Sequence, residues 1–118
     1  QVAVMPGDTA YDLAARQRRE IVALFKETWE GIRTGTIVPV PQDESRAVFR
    51  HRAQVNEYDR IELDRPATGR AVLNVLRARS FGDKGFAYYE EGDERVYLNL
   101  RTGKTNTFAP PNERTGRA

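Results

Sequence analysis

No cysteine occurs in the 118-residue chain, which excludes a disulfide framework and a thiolate metal site. Histidine is almost as scarce. His51 is the one copy, so a zinc site would need a single imidazole plus carboxylates, an uncommon donor set. Ser45, His51 and Asp59 can be assembled on paper into a triad, yet neither Ser45 nor Ser80 stands in the strained turn that exposes a nucleophile. Gly103-Lys104-Thr105 echoes the end of a phosphate-binding loop, but Leu98 stands where the first glycine of that loop belongs. Long apolar runs are missing too. Nothing approaches the length of a membrane span, and no basic-then-apolar stretch marks a secretory signal, which fits a cytoplasmic protein.

Charge of one sign is also lacking. The formal charge is +2, but Arg101, Lys104, Arg114 and Arg117 against Glu113 give the stretch from Arg101 onward +3, which leaves −1 for residues 1–100. The body of the chain is balanced, so no general basic patch follows and nucleic acid is not an expected partner. Hydrophobic residues at 39% suffice for a small core, and charged residues at 31% argue for a water-facing surface.

What is present reads as an α+β or α/β fragment. Val2-Ala3-Val4-Met5 has the character of a short buried strand, and a strand at the start needs a partner, so the chain is expected to be a C-terminal portion of a longer protein. Pro6-Gly7-Asp8 breaks it, and Asp8 can cap the next element. From Thr9 to about Ile32 the period is helical. Leu13, Ile21, Leu24, Phe25 and Ile32 share one face, while Asp12, Arg16, Lys26 and Glu30 lie opposite. Such a helix is roughly 35 Å long and must lie across something extensive. Gly35 stands at C-cap distance. Pro39 and Pro41 make the next segment an edge or polyproline stretch, and Gln42–Ser45 a polar turn.

Ala47-Val48-Phe49 is an apolar strip leading into Arg50-His51-Arg52, the densest basic cluster. Residues 54–60 read as a polar linker. A second helix is expected from Asp64, as N-cap, with Pro66 in its first turn. Its apolar side carries Ala71, Val72, Val75 and Leu76, and its polar side Arg70, Asn74 and Arg77. Residues 82–85 read as a loop. Phe86–Glu90 and Arg95–Leu100 alternate and form a β-hairpin. From Thr102 the composition suggests a flexible tail.

Two cationic sets and one aromatic set remain as candidates. Arg77 with Asn74, and Arg50 with Arg52, can present guanidinium forks that suit phosphate oxygens. Tyr88 offers a flat surface to a base. Together they suit a diphosphate that carries a base.

The order of motifs resembles the C-terminal part of the folate-dependent formyltransferases. Val4-Met5-Pro6-Gly7-Asp8-Thr9-Ala10-Tyr11-Asp12-Leu13 resembles the segment entering the closing helix of their Rossmann-like catalytic core. Gly35 to Glu44 is similar to a Gly-x-x-x-Pro-x-Pro-Gln stretch, Asn74-Val75-Leu76-Arg77-Ala78 to an Asn-x-x-Arg-Ala helix, and Gly85-Phe86-Ala87-Tyr88-Tyr89 to the start of a hairpin. Phe49-Arg50-His51-Arg52 is similar to the Tyr-His-Arg/Lys-Arg stretch of the nucleotide-sugar N-formyltransferase branch, with Phe for Tyr and the order of His and Arg exchanged.

The resemblance implies three parts: residues 1–40 as the last strand and closing helix of the core, 41–101 as a C-terminal subdomain, and 102–118 as a tail. It implies a parent that moves a formyl group from N10-formyltetrahydrofolate to the amine of a nucleoside-diphosphate-linked amino-deoxysugar. The donor would be bound mainly by an N-terminal half that carries the catalytic Asn-x-His and Asp. No Asn-x-His occurs in this chain, so no catalytic residue is assigned here. Arg77, Asn74, Arg50, Arg52 and Tyr88 are the expected substrate contacts, and a homodimer is a possible assembly. Two other readings stand beside this one. The chain could be a non-catalytic interaction module dimerising through the hairpin, or part of a methionyl-tRNA formyltransferase, which would continue past Ala118 into a barrel.

Overall fold

A computed structural model describes residues 1–106. The long helix is present as α1, Ala10–Arg33. Its start is set by Asp12, whose carboxylate accepts from the amide of Thr9 at 2.9 Å and from its hydroxyl at 2.8 Å. Asp8 therefore does not cap the helix; it stands one residue earlier and is held by Arg16. Gly35, at φ 72°, turns the chain out of α1, and the amides of Thr36 and Ile37 return to the carbonyl of Gly31. Ile37 packs where a side chain at position 31 would stand, so a larger residue there would have to displace it.

Residues 34–51 run without a sheet partner, interrupted by a 3₁₀ turn at Glu44–Arg46. The strip before the basic cluster is uncovered, with Val48 and Phe49 both more than 70% exposed. The supposed linker is not one. Arg52–Gln54 forms a 3₁₀ turn and Val55–Asp59 a short helix, α2. The second long helix, α3, spans Gly69–Ala78. Its N-cap is Thr68, whose hydroxyl accepts from the amide of Ala71 at 3.1 Å, not Asp64. Pro66 explains the difference: it disfavours the helical region for the residue before it, so the helix starts after it.

Two small hairpins follow. β1, Ser80–Phe81, pairs with β2, Lys84–Gly85, in flanks that read as loop; Gly82, at φ 61°, makes the turn. β3, Ala87–Glu91, pairs with β4, Glu94–Leu98, in the register Tyr88↔Tyr97 and Tyr89↔Val96. This is the hairpin the alternation predicts. Arg60 bridges β3 from its other side, and the amide of Ile61 donates to the carbonyl of Tyr88 at 2.7 Å. The expected strand at Val2–Met5 pairs with no strand among the described residues. A strand is held by a neighbour's donors and acceptors, and here side chains of α1 and α3 take the segment's carbonyls instead.

The closed part of the fold is small. Ala87, Ser80 and Asp59 are its buried residues. The hydroxyl of Ser80 donates to the carbonyl of Leu76 at 2.7 Å and accepts from the amide of Leu100 at 2.8 Å, stitching α3 to the end of the hairpin. Elsewhere apolar surface is open. Ile21, Leu24, Phe25, Trp29 and Ile32 of α1 are 47–65% exposed.

Candidate functional site

The two halves of the α3 motif meet one depression. Asn74 and Arg77, one turn apart, line a hollow of about 380 Å³ with Val4, Asp8, Ala10 and Leu13. Arg77 is already engaged there. Its Nε donates to the carbonyl of Asp8 at 2.8 Å and its Nη2 to that of Met5 at 3.2 Å. Asp8 carries the hollow's negative charge. Its carboxylate accepts from Arg16 at 2.8 and 3.1 Å and from the amide of Met5 at 2.6 Å. These bonds, first Arg16's and then Met5's, hold its carboxyl down at about 2. Arg16, read from its helical position as water-facing, is thus a structural cation, and its Nη1 also reaches the carbonyl of Ala3 at 2.6 Å.

Tyr88 lies elsewhere, in a hollow of about 320 Å³ with Asn56, Asp59, Phe86, Arg95 and Tyr97. Its ring meets Tyr97 at 5.7 Å, and the guanidinium carbon of Arg95 sits 4.1 Å above it. Arg95 is held in place by Glu90, at 2.8 Å from Nη2. One face of Tyr88 is therefore taken. Arg50 and Arg52 belong to the segment before α2. Arg50 donates to the Tyr58 hydroxyl at 3.3 Å, and Arg52 opens the 3₁₀ turn, with His51 as its N-cap and edge-on to Phe49 at 5.0 Å. The structure thus brings Asn74 and Arg77 together and puts Tyr88 in a second hollow.

One pair escaped the sequence reading. Asp59, buried at the end of α2, receives both Nε and Nη2 of Arg79, the second bond at 3.1 Å. The Arg79 guanidinium also stacks on Phe86 at 5.0 Å. The signal available was an acid closing a run taken for linker and a third arginine two residues past Arg77; nothing in their spacing joins them.

Among the described residues no group of three or more His, Cys, Asp or Glu could hold a metal ion, and no helix is long and apolar enough to cross a membrane.

The elements from α2 to β4 decide the comparison. Residues 54–103 match the N-formyltransferase dimerization C-terminal domain. That match carries Arg77, Asn74 and Tyr88, while the N-terminal turn and α1 precede it. A 4-N formyltransferase from Francisella tularensis has a similar structure, with a TM-score of 0.78 at 22% identity over 88% of this chain and 43% of that one. A sugar N-formyltransferase from Shewanella sp FDAARGOS_354 gives 0.77 at 23% identity, over 88% of this chain and 42% of that one. The chain thus spans less than half the length of these structures and shares the fold of that part. No curated protein matches it.

Proposed function

We propose that this chain is the C-terminal portion of a sugar N-formyltransferase of the cytoplasm, with residues 1–40 completing a Rossmann-like catalytic core and 41–101 forming a dimerising subdomain. The parent takes a formyl group from N10-formyltetrahydrofolate. The amine nitrogen of a nucleoside-diphosphate-linked amino-deoxysugar gains the formyl carbon, that carbon's bond to N10 breaks, and a proton from the amine ends on N10. The observation that carries the reading is the match of residues 54–103, with a long helix earlier in the chain whose apolar face lies half exposed.

The hollows at Arg77 and at Tyr88 lie open on the surface, whereas a pteridine needs an apolar slot that buries most of it. In this reading the donor belongs to the upstream half. Arg50 and Arg52 are proposed for the diphosphate, Asn74 for a further polar contact to the substrate, and Tyr88 for the base. Arg77 is the weakest member of that set, because two of its nitrogens already lie on carbonyl oxygens.

The test is the full-length parent, mixed with formyltetrahydrofolate and a panel of nucleotide-linked amino sugars and read by mass spectrometry. One formyl group added to a sugar supports the reading. A parent that formylates none of them, or that formylates methionyl-tRNA instead, overturns it.

A further inference from the structure

The 54–103 module and the turn that precedes α1 lie far apart in sequence, yet the module's side chains collect that turn's carbonyl groups. Arg77 takes those of Asp8 and Met5, at 2.8 and 3.2 Å. The Thr102 hydroxyl takes that of Gly7, at 2.7 Å. From the other side Arg16, on α1, takes the carboxylate of Asp8 and the carbonyl of Ala3. The turn also closes on itself, with the Asp8 amide donating to the carbonyl of Met5 at 3.0 Å and the Met5 amide to the Asp8 carboxylate at 2.6 Å. Gly7 at φ 83° supplies the backbone conformation that a side chain would oppose.

Two consequences come from the chemistry. A guanidinium is planar, and donors spent on two carbonyls of one turn fix its direction. The carboxylate of Asp8 lines the same hollow and takes the Arg16 guanidinium, so that cation too is spent within the protein.

We infer that Arg77 is a positioning residue and not an anion ligand: with Thr102 it clamps the Met5–Asp8 turn onto α3. The clamp sets the direction in which the chain enters α1, and with it the orientation of α1's apolar face relative to the hairpin. Tyr11 of α1, edge-on to Phe81 of β1 at 5.3 Å, is the apolar counterpart of the same joint. The inference holds whether or not the parent transfers formyl groups.

The experiment is residue-resolved hydrogen exchange on the full chain. In the unaltered protein the amides of Met5 and Asp8 are protected. Arg77→Ala should accelerate their exchange by at least about tenfold, the equivalent of one charge-assisted hydrogen bond, while protection in α3 and in β3–β4 stays unchanged. Thr102→Val, which removes one neutral bond at the edge of the module, should accelerate the same amides by about two- to tenfold and covers the case of an Arg77→Ala chain that does not fold. Unprotected Met5 and Asp8 amides in the unaltered chain overturn the clamp. So does unchanged exchange in both variants, or a uniform acceleration across α3 and the hairpin.

Discussion

Arg79→Met should destabilise the chain more than Asp59→Ala, although the two residues form one ion pair. The reason is their unequal burial. The Asp59 side chain is 8% exposed and that of Arg79 is 31% exposed. Removing the arginine's charge leaves a carboxylate inside the fold with no cation, and breaking a buried pair this way costs about 3–5 kcal/mol. Water already reaches the Arg79 end, so the lower limit, about 3 kcal/mol, is the appropriate figure. Methionine keeps an unbranched stem of similar shape and also gives up the guanidinium's place over Phe86. Asp59→Ala leaves a guanidinium that can turn into water, so about 1.5 kcal/mol is expected, the lower end for a hydrogen bond to a charged group. Because the pair joins α2 to the end of α3, either loss should appear in urea denaturation as a shift of the midpoint with little change of slope. The double variant Asp59→Ala/Arg79→Met removes both charges and should be more stable than Arg79→Met alone by at least about 1 kcal/mol. If Asp59→Ala proves the costlier single change, or the double variant is the sum of the singles, the burial argument is refuted.

Two further outcomes rest on local geometry. A Cβ on Gly85 would lie 1.9 Å from the carbonyl oxygen of Leu98, a backbone atom that cannot turn aside, so Gly85→Ala should cost at least about 2 kcal/mol and separate the β1–β2 turn from the end of β4; a thermal melt unchanged from the parent chain would contradict this. Asp8 has its folded carboxyl at about 2, below the ordinary 3.8, so the folded chain binds fewer protons than the unfolded one between those values. Its stabilising effect is full above about pH 4 and lost as the pH falls through about 2. A carbon-detected titration of Asp8 should give a midpoint near 2 that rises toward the ordinary value in Arg16→Ala, and a midpoint near 4 in the parent would refute the assignment.

Periodicity made the regular elements legible. Twenty-four residues of α1 supply several full turns of apolar repeat, and five residue pairs of β3–β4 supply an alternation. Both were readable. Five residues of α2 and the two-residue strands β1 and β2 carry too few repeats to stand out from a polar linker or a loop. The start of α3 was missed because Asp64 and Thr68 are both good caps, and only the conformation imposed before Pro66 separates them. Within the candidate site, Asn74 and Arg77 are neighbours by helix geometry, and that much the spacing tells. That Arg77 would meet Asp8, 69 residues away, or that Arg79 would find Asp59, depends on how the pieces pack.

The described contacts also explain what kind of object this chain is. Its pieces are joined chiefly by polar bonds: Arg77 and Thr102 on the N-terminal turn, Arg16 on Asp8, Arg79 on Asp59, Ser80 between α3 and Leu100. Such bonds have direction, so they fix angles between elements, but each replaces a bond to water and nets only about 1 kcal/mol. Stability normally comes from apolar burial, at about 25 cal/mol per Å². Here Ile21, Leu24, Phe25, Trp29 and Ile32 lie half open along one helix while Ala87 is the buried hydrophobic residue among those described. The directional bonds therefore fix the angles between elements while the apolar face of α1 stays half open. The Arg77 joint is one of them, and it sets how the chain enters α1.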